Sequence, residues 1–363
     1  MKSIRRYFRY TVCFAAIYSL FLVQFVAASP PRSVVLIISD GTGVSQLTSL
    51  RYTSDQFQFN RFPVTGLFTT HALDDLITDS AASGTAIATG HKTNNGMVAT
   101  LPDGTTPKTI LELAEDQGKS TGLVATSQIT HATPACFGSH VEDRDMEMEI
   151  ARQLSRQNIE VLFGGGQKFF LNNNQSGNLV DSMKTAGYTY VDSRDMLTQL
   201  NPRTTTHALG LFAEVGMKPA KEGRMPLHLM TEKAVEILAN DQDGFFLMVE
   251  ASQVDWEGHD NDNEGIIAEM HDMNDAVEWV LDYQEEHPDL LVLWISDHET
   301  GGYAIAGGSS DQYQVEGAFT STHHTGQMIP AFAVGPGADQ FSGVYDNTDI
   351  GKKLFKLFTG NGN

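Results

Sequence analysis

Three stretches of the chain share one pattern, an unbroken apolar run that stops on an acid. Ser33-Val34-Val35-Leu36-Ile37-Ile38-Ser39 leads into Asp40-Gly41, and Phe245-Phe246-Leu247-Met248-Val249 leads into Glu250. Leu290-Leu291-Val292-Leu293-Trp294-Ile295-Ser296 leads into Asp297-His298. Runs without polar alternation belong to strands covered on both faces. Gly122-Leu123-Val124-Ala125, Glu160-Val161-Leu162-Phe163 and Ile329-Pro330-Ala331-Phe332-Ala333-Val334 extend the series. Elsewhere the period changes. Ile266, Met270, Met273, Val277 and Val280 recur at three- and four-residue steps, and Thr109-Ile110-Leu111-Glu112-Leu113-Ala114 opens another amphipathic segment. Strands alternating with helices over this length predict an α/β fold: a doubly wound, mostly parallel central sheet flanked by helices, with small insertions. In such sheets ligands gather at the carboxyl ends of strands, which is where the acids lie. Residues 172–177 and 307–310 read as turn-rich loops, and the polar stretch 201–225 as an irregular connection.

The first 28 residues have a different character. Lys2, Arg5, Arg6 and Arg9 precede an apolar run from Thr11 to Val26, and Val26-Ala27-Ala28 has the small residues of a secretory cleavage site. The run is short for a membrane anchor and is broken by Ser19 and Gln24. The reading is a signal peptide over residues 1–28, a catalytic domain over 29–363, and a periplasmic or secreted protein with no membrane attachment after cleavage. Arg5-Arg6 leaves the twin-arginine route open beside the general secretory one.

Removing the four basic residues takes the formal charge from −21 to −25. Such a chain repels nucleic-acid backbones and anionic membranes, so no nucleic-acid partner is expected. It does not exclude a small anion held by metals or a placed arginine. Cys13 falls in the leader, which leaves Cys136 alone, without an intrachain disulfide and in the role of a small packing residue.

Two more features carry chemistry. Asp255 and His259 stand four apart in Asp255-Trp256-Glu257-Gly258-His259, a spacing that turns both side chains to one face of a helical turn. Carboxylate with imidazole suits zinc. Taken alone this pair reads as a surface pair. Glu250, Asp297-His298 and His323-His324, all expected at the same rim, give it company. The second feature is Thr78-Asp79-Ser80-Ala81, where Ser80 opens a stretch of small residues and reads equally as a helix cap or a nucleophile.

Together these motifs resemble the alkaline phosphatases. The supporting stretches are Ile38-Ser39-Asp40-Gly41, Thr78-Asp79-Ser80-Ala81, Thr130-His131-Ala132-Thr133-Pro134, Glu250-Ala251-Ser252-Gln253-Val254-Asp255, Ser296-Asp297-His298-Glu299 and His324-Thr325-Gly326. The resemblance implies two zinc ions and one magnesium ion. Asp255, His259 and His324 would hold one zinc, with Thr325-Gly326 selecting His324 over His323. Asp40, Asp297 and His298 would hold the second, beside Ser80. Asp40 would bridge to the magnesium, held with Thr133 and Glu250. The resemblance makes Ser80 the nucleophile that becomes phosphoserine, and Arg144 the arginine that grips phosphate. Arg152 reads as a surface charge on the same helix, and Asp79 as a residue that orients the turn. The implied reaction is hydrolysis of small phosphate monoesters, and the implied assembly a homodimer.

Two substrate-side positions depart from the commoner family pairs of Asp with Lys or two His: here they are His131 and Trp256. Trp256 supplies no cation, which predicts weaker retention of phosphate. Only 25 residues separate His298 from His324, so the surface domain that larger members insert there is small or absent. The competing readings are a metal-dependent phosphodiesterase or sulfatase of the same superfamily, and a non-catalytic periplasmic metal- or phosphate-binding protein.

Overall fold

The computed structural model describes residues 30–174 and 176–360. The leader expected over residues 1–28 lies outside them. No helix among the described residues is long and apolar enough to cross a membrane.

Among the described residues fourteen strands follow one another: β1 (Ser33–Ser39), β2 (Val64–Thr69), β3 (Ser120–Gln128), β4 (Val161–Gly165), β5 (Thr189–Val191), β6 (Ala208–Leu211), β7 (Phe245–Ala251), β8 (Leu290–Ile295), β9 (Glu299–Thr300), β10 (Ala304–Ser309), β11 (Gln314–Ala318), β12 (His324–Thr325), β13 (Ile329–Val334) and β14 (Gly343–Asp346). Ten form the central sheet, in the order β14-β2-β13-β8-β1-β7-β3-β4-β6-β5. Within it only β13 runs antiparallel, to both β2 and β8.

Strand β1 shows why its sequence has no polar alternation. Val34, Leu36 and Ile38 pack on one face with helices Ser80–Thr89, Ala132–Gly138 and Asn347–Thr359. Val35 and Ile37 pack on the other with helices Val44–Thr53, Leu227–Leu238 and Asn263–Glu286. Each fully buried side chain of this kind contributes roughly 1.5–3 kcal/mol of transfer free energy, so a strand used on both faces is apolar throughout. Ile266, Met270, Met273, Val277 and Val280 form the buried stripe of Asn263–Glu286. Thr109 caps Ile110–Asp116 in a capping box with Glu112.

The sequence reading left out several elements. Residues 201–225 are not wholly irregular, because β6 lies within them and pairs in parallel with β4 and β5. Residues 307–310 are not simply a loop, because Gly307 to Ser309 belong to β10 of the β10–β11 hairpin. That hairpin is the small insertion between His298 and His324. Arg144 lies before the helix Glu147–Leu154 rather than on it, whereas Arg152 is on that helix and pairs with Glu149.

Candidate active site

Four neighbouring strands in the order β8-β1-β7-β3 deliver the acids and imidazoles to one rim. Asp40 directly follows β1, Glu250 is the second-last residue of β7, and Asp297-His298 follow β8. Asp255 and His259 sit on the short helix Gln253–His259 just beyond β7, while His131 and Thr133 lie at the start of Ala132–Gly138 beyond β3. Gly41 (φ +75°) lets these parts meet: a Cβ there would come within 2.5 Å of the Asp255 Cα.

The side chains form three groups whose donor atoms lie within 4.8 Å of one another: Asp255 with His259 and His324, Asp40 with Asp297 and His298, and Asp40 with Glu250 and His131. In the first, the Nε2 atoms of His259 and His324 are 3.1 Å apart, and each is 3.4 Å from Asp255 Oδ1. The Nδ1 atoms bond carbonyl oxygens, His259 to Thr322 at 2.7 Å and His324 to Thr78 at 2.8 Å. A carbonyl only accepts, so both Nδ1 atoms carry hydrogen and both Nε2 atoms face the carboxylate. Its bond and charge raise the two imidazoles, His259 to about 9, so a cation bound there would displace the Nε2 protons. Two imidazole nitrogens and a carboxylate turned toward one point form a seat for a cation. His323, the rival of His324, is exposed and outside the group.

In the second group His298 Nε2 lies 3.2 Å from Asp297 Oδ2, 3.6 Å from Asp40 Oδ1 and 3.3 Å from Ser80 Oγ. Both carboxylate oxygens of Asp40, Asp297 Oδ2, Glu250 Oε1 and Thr133 Oγ1 are buried without a hydrogen-bond partner. Buried carboxylates in this state are costly unless a cation joins them. Burial and then the charges of Asp297, Asp255 and Glu250 push the Asp40 carboxyl well above its usual range. Burial raises Glu250 to about 7 and Asp297 to about 6. Burial holds His298 neutral, as a ligand imidazole must be. Nitrogen with carboxylate in the first two groups suits zinc. In the third, Asp40, Glu250 and the Thr133 hydroxyl offer oxygens of the kind magnesium takes, but the buried, unpartnered Nδ1 of His131 adds a nitrogen donor that departs from an all-oxygen set.

Ser80 begins the helix Ser80–Thr89 but does not cap it. The cap is Asp79, whose Oδ1 accepts from Ala82 N at 2.8 Å. The serine hydroxyl is therefore not engaged in capping. The turn-orienting role expected of Asp79 is joined by a contact that sequence reasoning missed: Arg144 Nη1 donates to its Oδ2 at 3.0 Å. Arg144 Nη2 donates to His131 Nε2 at 3.2 Å. Burial lowers the His131 imidazole to about 3, helped by the Arg144 charge, so it accepts as a neutral ring. Trp256 meets His131 edge-on, with centroids 6.0 Å apart, and presses against Gly216, where a Cβ would lie 2.4 Å from the indole. The loop carrying Gly216 was also missed, since nothing in residues 201–225 marks it as the backing of Trp256. Cys136 is buried, and burial pushes its thiol up to about 12, consistent with a packing role.

The family model described as alkaline phosphatase matches residues 31–316, more than half of the chain. Alkaline phosphatase 3 of Bacillus subtilis (strain 168) is 35% identical over 416 residues, spanning 90% of this chain and 88% of that protein. The structure of alkaline phosphatase from the Antarctic bacterium TAB5 has a TM-score of 0.86 at 34% identity, covering 92% of this chain and 100% of that one. A histidine-to-glutamate variant of that enzyme, with magnesium bound in its M3 site, superposes equally well at 33% identity. Fold and comparisons together define a phosphatase, an enzyme acting on phosphate esters. The chain belongs to the alkaline phosphatase family.

Proposed function

We propose that the chain hydrolyses small phosphate monoesters through a phosphoserine on Ser80, assisted by two zinc ions and one magnesium ion. The observation that carries this reading is the place of Ser80 Oγ, buried, 3.3 Å from His298 Nε2 and at the first turn of a ten-residue helix. Asp255, His259 and His324 would hold one zinc, Asp40, Asp297 and His298 the other, and Asp40, Thr133 and Glu250 the magnesium. When bound, these ions supply Lewis-acid polarisation of the phosphate oxygens and lower the pKa of the attacking hydroxyl.

The chain's own residues do the rest. The amino end of Ser80–Thr89 offers free N–H groups and a positive dipole end to the phosphate. The Arg144 guanidinium, held by Asp79, presents a planar fork that matches two phosphate oxygens. Ser80 Oγ attacks phosphorus in line, the bond to the ester oxygen breaks, and the alcohol leaves with a proton. Water then attacks the phosphoserine, which releases phosphate and returns Ser80. His131 and Trp256 line the phosphate side. The protein is exported with cleavage of residues 1–28, acts in the periplasm or outside the cell, and works as a homodimer; the basic-then-apolar start and the family resemblance support these readings.

The test is to quench turnover of a labelled monoester in acid and locate the label. Label on Ser80, absent from a Ser80→Ala variant that has also lost turnover, is expected. Full turnover by Ser80→Ala would overturn the mechanism, and preference for a diester or sulfate ester would favour the competing reading of the same fold.

A further inference from the structure

Thr300 is fully buried and lies two residues beyond His298. Its Oγ1 is 2.5 Å from Asp255 Oδ1 and 3.3 Å from His298 Nδ1. Chemistry sets the direction of these contacts. A carboxylate only accepts, so the hydroxyl proton points at Asp255. The oxygen then faces His298 Nδ1 as an acceptor, which requires hydrogen on Nδ1. That tautomer leaves Nε2 bare, on the side where Asp40, Asp297 and Ser80 converge.

The backbone and methyl of Thr300 reach further ligand-bearing segments. Its N–H donates to the Gly41 carbonyl at 3.1 Å, next to Asp40. Across the two-stranded β9–β12 ladder it pairs with His324. A Cβ on Gly258, the neighbour of His259, would come within 3.1 Å of both its Cβ and its methyl carbon. Thr300 thus contacts two ligands through its hydroxyl, pairs with a third, and touches the immediate neighbours of two more.

We propose that Thr300 is a positioning residue that couples the two nitrogen-containing metal groups through the relay His298 Nδ1–H to Thr300 Oγ1–H to Asp255 Oδ1. This rests on the zinc reading of those groups. The relay fixes the His298 tautomer for one group and turns the Asp255 carboxylate for the other, so a single hydroxyl serves both. Outer partners of this kind orient ligands that would otherwise rotate or protonate at the wrong nitrogen.

The experiment strips the whole protein of metal, then follows cobalt uptake by its visible absorption and zinc affinity by chelator competition. Thr300→Val keeps the shape and removes the hydroxyl; Thr300→Ser keeps the hydroxyl. Loss of an outer partner weakens metal affinity about 10–100-fold, so the valine variant should lose at least about tenfold at both groups, with an altered cobalt spectrum, while serine stays within about threefold of wild type. Should valine prevent folding, Thr300→Ala is read in the same way. Wild-type uptake with an unaffected hydroxyl-less variant overturns the relay alone, as does a loss confined to one group. A wild-type protein that takes up neither ion overturns the metal assignment and the relay with it.

Discussion

Asp79 and Arg144, 65 residues apart in the chain, meet through a carboxylate with two duties: Oδ2 accepts from the guanidinium at 3.0 Å while Oδ1 caps the helix that opens with Ser80. Gly96 N adds a third donor, to Oδ2 at 3.0 Å. The residue before the proposed nucleophile therefore also restrains the proposed phosphate grip. Asp79→Ala should lower stability by about 1 kcal/mol through the lost cap. It should also weaken inhibition by inorganic phosphate about tenfold, the equivalent of roughly 1.4 kcal/mol. Thermal melts and phosphate inhibition constants check the two effects separately, and an unchanged inhibition constant would refute the positioning role.

Trp256 brings an apolar plate where a cation would hold phosphate. A lysine there adds a positive charge near Arg144 and the phosphate side. Trp256→Lys should tighten phosphate inhibition by about tenfold, and slower product release should lower kcat. Trp256→Leu, which adds no charge, serves as the control. Equal or weaker inhibition in the lysine variant counts against the assignment.

Asp40, Glu250, Asp255 and Asp297 form a buried group of carboxylates, and oxygens of Asp40, Glu250 and Asp297 have no hydrogen-bond partner. Chelation should abolish most phosphatase activity and also lower the melting temperature, since ligands bound to the native state stabilise it. An ion present at about 1,000 times its dissociation constant contributes about 4 kcal/mol, or very roughly 5–10 °C in a domain of this size. Zinc and magnesium together should restore both properties. A chelated protein with full turnover and an unshifted melt would defeat the metal reading.

Glu115 gives a pH dependence remote from this chemistry. Burial raises its carboxyl from 4.5 to about 7, offset in part by bonds from Gln157 and Thr121 and reinforced by the charge of Glu160. The native state therefore holds a proton that the unfolded chain gives up earlier. Stability from this group is complete below about pH 4.5 and is lost as pH rises toward 7. Glu115→Gln copies the protonated form, so its melting temperature should exceed that of wild type more at pH 8 than at pH 4.5. Equal differences at the two pH values would exclude the shift.

The strands buried on both faces were legible because each runs through the sheet as a continuous apolar segment. Strands β5, β6 and β14, of only three or four residues, were not, nor was the six-residue β2, and all four lie toward the sheet's flanks. The β2 sequence Val64-Thr65-Gly66-Leu67-Phe68-Thr69 becomes a strand through pairing with β13 and β14 more than through its own composition. The acids and imidazoles at the rim were visible because they directly follow apolar runs, and the resemblance brought His324 in with them. What periodicity does not carry is long-range placement. Arg144 reads as part of the following helix because its neighbours are charged at helical spacing, yet it stops short of that helix and bonds across the fold to Asp79.

The reversed strand β13 has a consequence for how this site is assembled. Because β13 runs against β8, its beginning at Ile329 lies at the rim where β1, β7 and β8 finish. Most of the rim residues are reached as the chain leaves the sheet, but His324 is reached on the way in, five residues before Ile329. A parallel strand would have needed a crossover of a dozen or more residues before a ligand could appear at that edge. Here the chain between His298 and His324 has no crossing to complete, and its length is uncoupled from the architecture of the sheet. It holds the β10–β11 hairpin, and lengthening or trimming that hairpin would redraw the outer surface while His298 kept its place just before β9 and His324 its place in β12, which pairs with β9.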